Sequence, residues 1–175
     1  DRQAGTRHGV NVQQRLRHHV RLGCGQVDVL LAPARHEAEL VFDRAGDIGQ
    51  AMGEAYGKLF TFAGANGIAP AGPPFSIYYS FNPAGNTVFE AGVPVSTTVE
   101  GNEEVTFKEF PAMKVVSTLY KGPYEAMEPM YGELNKYMTA NALESDGTVW
   151  EIYLTDPGQM TDPNENQTVI CFPLK

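Results

Sequence analysis

Apolar positions in the second half of the chain follow two periods. From Met127 to Met138 they recur at three- and four-residue steps (Met127, Met130, Tyr131, Leu134, Tyr137, Met138), which predicts one apolar stripe on a helix at about 124–140. On either side, short runs with β-branched and apolar alternation predict strands at 105–110, 113–120, 149–154 and 168–172. The first half follows the same order: strands at 27–32 and 37–43, separated by a Pro33-Ala34 turn, a helix at 47–64, then strands at 75–80 and 88–95. Asn66-Gly67 and Asn141 are helix-ending residues that accept left-handed geometry. Pro129 falls early in the second helix and is expected to weaken its first turn. The sum is ββαββ twice, an α+β fold in which antiparallel sheet carries two helices on one side.

The likeness of the halves extends to residue identity. Residues 51–82 align without gaps on 126–157, an offset of 126 − 51 = 75, with 10 of 32 positions identical, among them Met52/Met127, Tyr56/Tyr131, Ile77/Ile152 and Tyr78/Tyr153. Unrelated stretches of this length would share about two. Val27 to Ala34 mirrors Val105 to Ala112, and Val93-Pro94-Val95 mirrors Phe172-Pro173-Leu174. The chain reads as a tandem pair of units, 26–98 and 104–175, related by a pseudo-twofold axis and joined by an acidic turn at 100–104. In the first helix Gly49, Gly53 and Gly57 stand four apart, a row expected to admit a closely packed backbone.

Strand parity sets the expectation for Trp150-Glu151-Ile152-Tyr153-Leu154. If the helices cover Trp150, Ile152 and Leu154, with Phe75, Ile77 and Tyr79 in the first unit, then Glu151, Tyr153, Ser76 and Tyr78 point to the opposite face. That face is either open to water, with Glu151 an ordinary exposed strand residue, or it lines a cleft in which two tyrosines flank one carboxylate. Aromatic walls and a single acid suit a flat or lipophilic cation. The same desolvation raises the acid's pKa, as proton transfer would require.

Charge divides the chain unevenly. All seven arginines and all four histidines lie in residues 1–44, where five acidic residues leave 7 − 5 = +2; the remainder sums to 6 − 16 = −10. The acidic body is expected to repel nucleic acid. The break sets off residues 1–25 as an Arg/His-rich linker, tail or artificial extension, ahead of one ligand-binding domain at 26–175. No run approaches a membrane span and no leader is seen, so the reading is cytoplasmic. Cys24 and Cys171 have no metal or disulfide spacing and are read as free thiols. The oxygen-rich stretch Asp156, Asp162, Asn164 and Glu165 lacks a calcium-loop pattern, so neither metal nor cofactor is expected. No histidine follows position 36, which removes histidine-based nucleophilic catalysis from the body.

The tandem units, with Gly53 to Leu59, Lys121-Gly122-Pro123-Tyr124-Glu125, Trp150 to Pro157 and Cys171-Phe172-Pro173-Leu174, resemble the GyrI-like small-molecule-binding domain, also called the bacterial transcription-activator effector-binding domain. The resemblance covers about 26–175. It implies paired βαββ-type modules around a concave ligand cleft, used alone or as the sensor part of MerR- and AraC-type multidrug regulators. The family's cleft glutamate falls on Glu151 and its neighbouring tyrosine on Tyr153; Tyr78, Ser76, Tyr120 and Phe172 are candidates by parity or symmetry alone. The expected function is binding of lipophilic, cationic or aromatic molecules as a multidrug sensor or sequestering protein. Alternatives implied by the family are a hydrolase of cyclopropane-bearing genotoxins using Glu151 and Tyr153, and a gyrase-inhibitor-type interaction module. Expected partners are the small molecule, and a DNA-binding domain upstream or gyrase, in a monomer or homodimer.

Overall fold

The structure is a computed structural model that describes residues 21–22, 27–34, 46–81, 87–156 and 158–175. Most of the Arg/His-rich segment, Cys24 and the strand expected at 37–43 lie outside the described residues.

The fold is α+β: the described residues form eight strands in one antiparallel sheet, and two helices. The strands are β1 (Arg21–Leu22), β2 (Val27–Ala34), β3 (Phe75–Ser80), β4 (Val88–Pro94), β5 (Thr106–Phe110), β6 (Lys114–Lys121), β7 (Val149–Tyr153) and β8 (Gln167–Pro173). Helix α1 spans Gly46–Ala65 and α2 spans Glu128–Ala140, the latter preceded by a turn of 3-10 helix at Tyr124–Ala126. Across the sheet the order is β1-β6-β8-β7-β3-β4-β2-β5. From the central β7–β3 pair outward, β8 answers β4, β6 answers β2 and β1 answers β5. Residues 27–34 therefore take the seat that 114–121 takes in the other half, not that of 105–112 as their sequences suggested. Pro33 and Ala34 make no turn; they continue β2 opposite Glu90 and Phe89.

Each helix buries its stripe on its own half of the sheet. Ala55, Leu59 and Ala63 of α1 pack with Phe89, Ala91 and Val93 of β4. Leu134 and Met138 of α2 pack with Val116, Ile170 and Phe172. A smaller cluster, Phe75 and Ile77 with Phe110, Trp150 and Ile152, lies on the sheet's reverse face. There the Trp150 ring stacks on Phe75 at 5.3 Å and meets Phe110 edge-on at 4.8 Å. Phe110 belongs to β5, three strands beyond β7's neighbour β3, so the sheet bends around this cluster.

Three local expectations are corrected. The Gly49, Gly53 and Gly57 row faces open space, since a Cβ at any of them would meet nothing within 4 Å. Pro129 does no harm: α2 starts at Glu128, so the proline stands in the first turn, where backbone N–H groups have no helical partner. The left-handed residue after α2 is Ala142 (φ 51°), while Asn141 instead sends its side-chain N–H to the Tyr137 carbonyl at 2.8 Å. After α1 the left-handed residue is Gly67, as expected (φ 65°).

Candidate ligand-binding site

Both helices and Glu151 lie on the same side of the sheet. Tyr56 of α1 donates its hydroxyl to the Phe75 carbonyl at 2.7 Å and lies 3.3 Å from Ser76 Oγ, while Tyr131 of α2 donates to Glu151 Oε1. The expected faces are thus reversed: Ser76, Tyr78, Glu151 and Tyr153 point toward the helices, and Trp150 and Ile152, with Phe75 and Ile77, point away. Tyr79 and Leu154 are exposed rather than covered. The physical reason lies in the seam between α1 and α2. Two separate apolar clusters leave a central strip of the sheet that tyrosines, with one ring face and one hydroxyl each, can fill. The large aromatics Trp150, Phe75 and Phe110 find their contacts on the bent reverse face instead.

Glu151 is only 6% exposed. It pairs in register with Ser76 on β3, which stands at the corresponding position of the other half, since 76 + 75 = 151. Tyr153 donates to Glu151 Oε2 at 2.9 Å, with the Met52 sulfur 3.6 Å away as a second acceptor. The Tyr153 ring meets Tyr56 and Tyr124 edge-on, at 6.4 and 5.9 Å between ring centres. Burial raises the carboxyl above its ordinary pKa, and hydrogen bonds from Tyr131, Tyr153 and Tyr78 pull it part of the way back. The phenols of Tyr56, Tyr78, Tyr131 and Tyr153 are all raised, first by burial and then by charge, which keeps them protonated as donors.

Of the six residues singled out from sequence, Glu151, Tyr153, Tyr78 and Ser76 come together. Tyr120 and Phe172 share their face of the sheet but belong to the α2 core, where Tyr120 donates to the Pro123 carbonyl at 2.9 Å. That bond closes a turn in the segment that follows β6. Gly122 (φ 147°) permits it, since a Cβ there would fall 2.5 Å from the Tyr120 hydroxyl. Sequence reasoning missed Tyr56, Tyr131, Tyr124 and Met52 as site residues. A pointer to three of them existed: Tyr56/Tyr131 and Met52/Met127 are identical across the 75-residue offset, just as Tyr78/Tyr153 are. Tyr131 read as core because its spacing fits the apolar stripe.

Residues 39–175 match the family described as the GyrI-like small molecule binding domain. The chain belongs to this family. Among curated proteins nothing matches it. The GyrI-like fold is shared with EcmrR in complex with DNA, at TM-score 0.71 and 18% identity over 86% of this chain and 54% of that one. The chain thus spans about half the length of that relative. The crystal structure of the EcmrR C-terminal domain alone aligns at TM-score 0.66 and 19% identity, covering 86% of this chain and 92% of that domain. A hydrolase from Listeria innocua encoded by lin2189 is similar at TM-score 0.59 and 14% identity, with 86% and 88% covered. SAV2435 bound to tetraphenylphosphonium is similar at TM-score 0.53 and 9% identity, with 86% and 89% covered. At such identities these likenesses speak for the GyrI-like fold alone. Among the described residues no helix is long and apolar enough to cross a membrane, and no group of three or more His, Cys, Asp or Glu is placed to hold a metal ion.

Proposed function

We propose that this GyrI-like domain binds lipophilic aromatic cations in the seam between α1 and α2, with Glu151 as counter-ion, and serves as the sensing or sequestering part of a multidrug response. The observation that carries the reading is one buried carboxylate surrounded by tyrosines, with no cationic side chain among its hydrogen-bond partners within the described residues. A carboxylate in that setting gains most from a ligand that brings the missing positive charge, and the rings add cation–π attraction of roughly 0.5–2 kcal/mol. The matching strand order and the tyrosine pairs support a duplication in which one copy carries a serine, Ser76, where the other carries the acid. A regulator-type arrangement, with DNA contacts made by another domain, agrees with the acidic body.

The test is fluorescence titration of a rhodamine-type cation against wild type and Glu151→Gln. Micromolar binding to wild type, weakened at least tenfold in the mutant, supports the reading. Binding indifferent to the mutation rejects Glu151 as counter-ion, and no binding at all shifts weight to a protein-interaction module of the gyrase-inhibitor type.

A second reading rests on the 2.9 Å contact between the Tyr153 hydroxyl and Glu151. A base with a raised pKa beside a phenol donor could direct water onto a strained electrophile such as a cyclopropane-bearing genotoxin. Turnover by wild type that vanishes in Glu151→Gln, with unchanged circular dichroism, is the expected result if the domain is a hydrolase.

A further inference from the structure

Beside the tyrosine cluster lie two buried polar atoms without a partner among the described residues, the Thr168 hydroxyl oxygen and the Asn166 amide oxygen. Thr168 is 0% exposed and Asn166 5%. The register sets Thr168 between Tyr153 on β7 and Tyr120 on β6, on the face that carries Glu151. Glu151 opposes Ile170, two residues from Thr168 on the same strand, so the diagonal between them is about 7–8 Å. Asn166 stands two residues before Thr168. Its backbone is fully engaged, the N–H donating to the Pro163 carbonyl and the C=O accepting from Gly122 at 2.9 Å, whereas its side-chain oxygen is not. The segment that follows Tyr120 is held to Asn166 by the Gly122 N–H, and its Tyr124 ring meets Tyr153 edge-on.

The opposite flank of Glu151 is different. There Ser76 Oγ lies near the Tyr56 hydroxyl and, at 4.0 Å, the Met52 sulfur. The two flanks therefore differ: toward α1 the Ser76 hydroxyl lies beside the Tyr56 hydroxyl and a thioether, whereas toward β8 the polar oxygens are left unpaired. A buried acceptor without a donor is costly, and native interiors rarely keep two of them two residues apart without use.

We infer that Thr168 and Asn166 form a hydrogen-bonding subsite for N–H groups, so that the preferred ligands are aromatic cations bearing a protonated amine or amidine rather than quaternary ammonium or phosphonium ions. The inference rests on the cation-binding reading above and narrows its ligand class. The ionised Glu151 supplies charge for either type of cation; only an N–H-bearing one also satisfies the β8 oxygens. Sites built to hydrogen-bond a ligand reject analogues that leave their polar groups unpaired.

The test is calorimetric titration at pH 7 with pyrenylmethylammonium and its N,N,N-trimethyl counterpart, which share ring and charge. Wild type is expected to bind the primary ammonium about tenfold more tightly. In Thr168→Val, an isosteric change, this ratio should collapse toward one, and Thr168→Ser, which keeps the hydroxyl, should restore it. Glu151→Gln should weaken both probes. Equal affinities in wild type, or a preference that survives Thr168→Val, would overturn the subsite while leaving the cation site standing. If neither probe binds wild type, the cation reading falls and the subsite with it.

Discussion

Glu151 carries an electrostatic conflict within one side chain. Burial opposes its charge while the hydroxyls of Tyr131, Tyr153 and Tyr78 favour it, and burial wins, so its pKa in the folded chain lies above the ordinary value of 4.5. The sign of the consequence follows from linkage. The unfolded chain gives up the proton more readily, so the stability this residue lends is complete below the unfolded pKa and lost as pH rises through the folded one. Glu151→Gln keeps an acceptor for the tyrosines and removes the charge. Without ligand, the mutant is therefore expected to match wild type in acid and to exceed it in thermal stability at neutral pH. Thermal melts of both proteins from pH 4 to 8 check this, and a difference that shrinks as pH rises would refute it. Glu151 itself was legible in the sequence as a carboxylate within an alternating strand. Its surroundings were not, because parity divides a strand into two faces without saying which one the helices cover.

Helix ends and helix faces show the same division between pattern and packing. The stripe of α2 was readable from spacing, and its Leu134 is buried at 1% exposed, as is Leu59 of α1, 75 residues earlier, at 0%. The exposed glycines of α1 were misread because a small residue in a helix signals close packing only when something lies against it. Gly53 faces open space, so Gly53→Ala is expected to stabilise the domain by roughly 0.5–1 kcal/mol. At the end of α2 the sign reverses. Ala142 holds φ 51°, where the first half has Gly67, and Ala142→Gly should stabilise by a similar ~0.5–1 kcal/mol through relief of backbone strain. Urea melts of the two single mutants test both. A loss of stability from Gly53→Ala would mean that α1 is covered by a partner on its glycine face.

At the scale of the whole molecule, the two halves each build an apolar core, and their junction holds the buried carboxylate of Glu151. The likeness of the halves was visible in 10 shared residues, yet the seat of β2 was not, because a β-strand's neighbours are chosen by long-range pairing that sequence similarity between halves does not encode. The central position of Glu151 also couples ligand, proton and fold. A cation that pairs with the ionised carboxylate lowers its pKa, so binding must release a proton wherever the free protein holds one there. For a quaternary probe, whose own charge is fixed, affinity should rise by up to about tenfold per pH unit below the folded pKa of Glu151 and level off above it. The net charge of −8 adds only a weak attraction that salt screens over about 8–10 Å, so this slope should persist in high salt. Titration of a quaternary aromatic cation from pH 4.5 to 8, at low and high ionic strength, reads the slope directly. Glu151→Gln should flatten it. A flat profile in wild type would show that the cation is held elsewhere, while a slope abolished by salt would assign the attraction to the acidic surface rather than to the buried carboxylate.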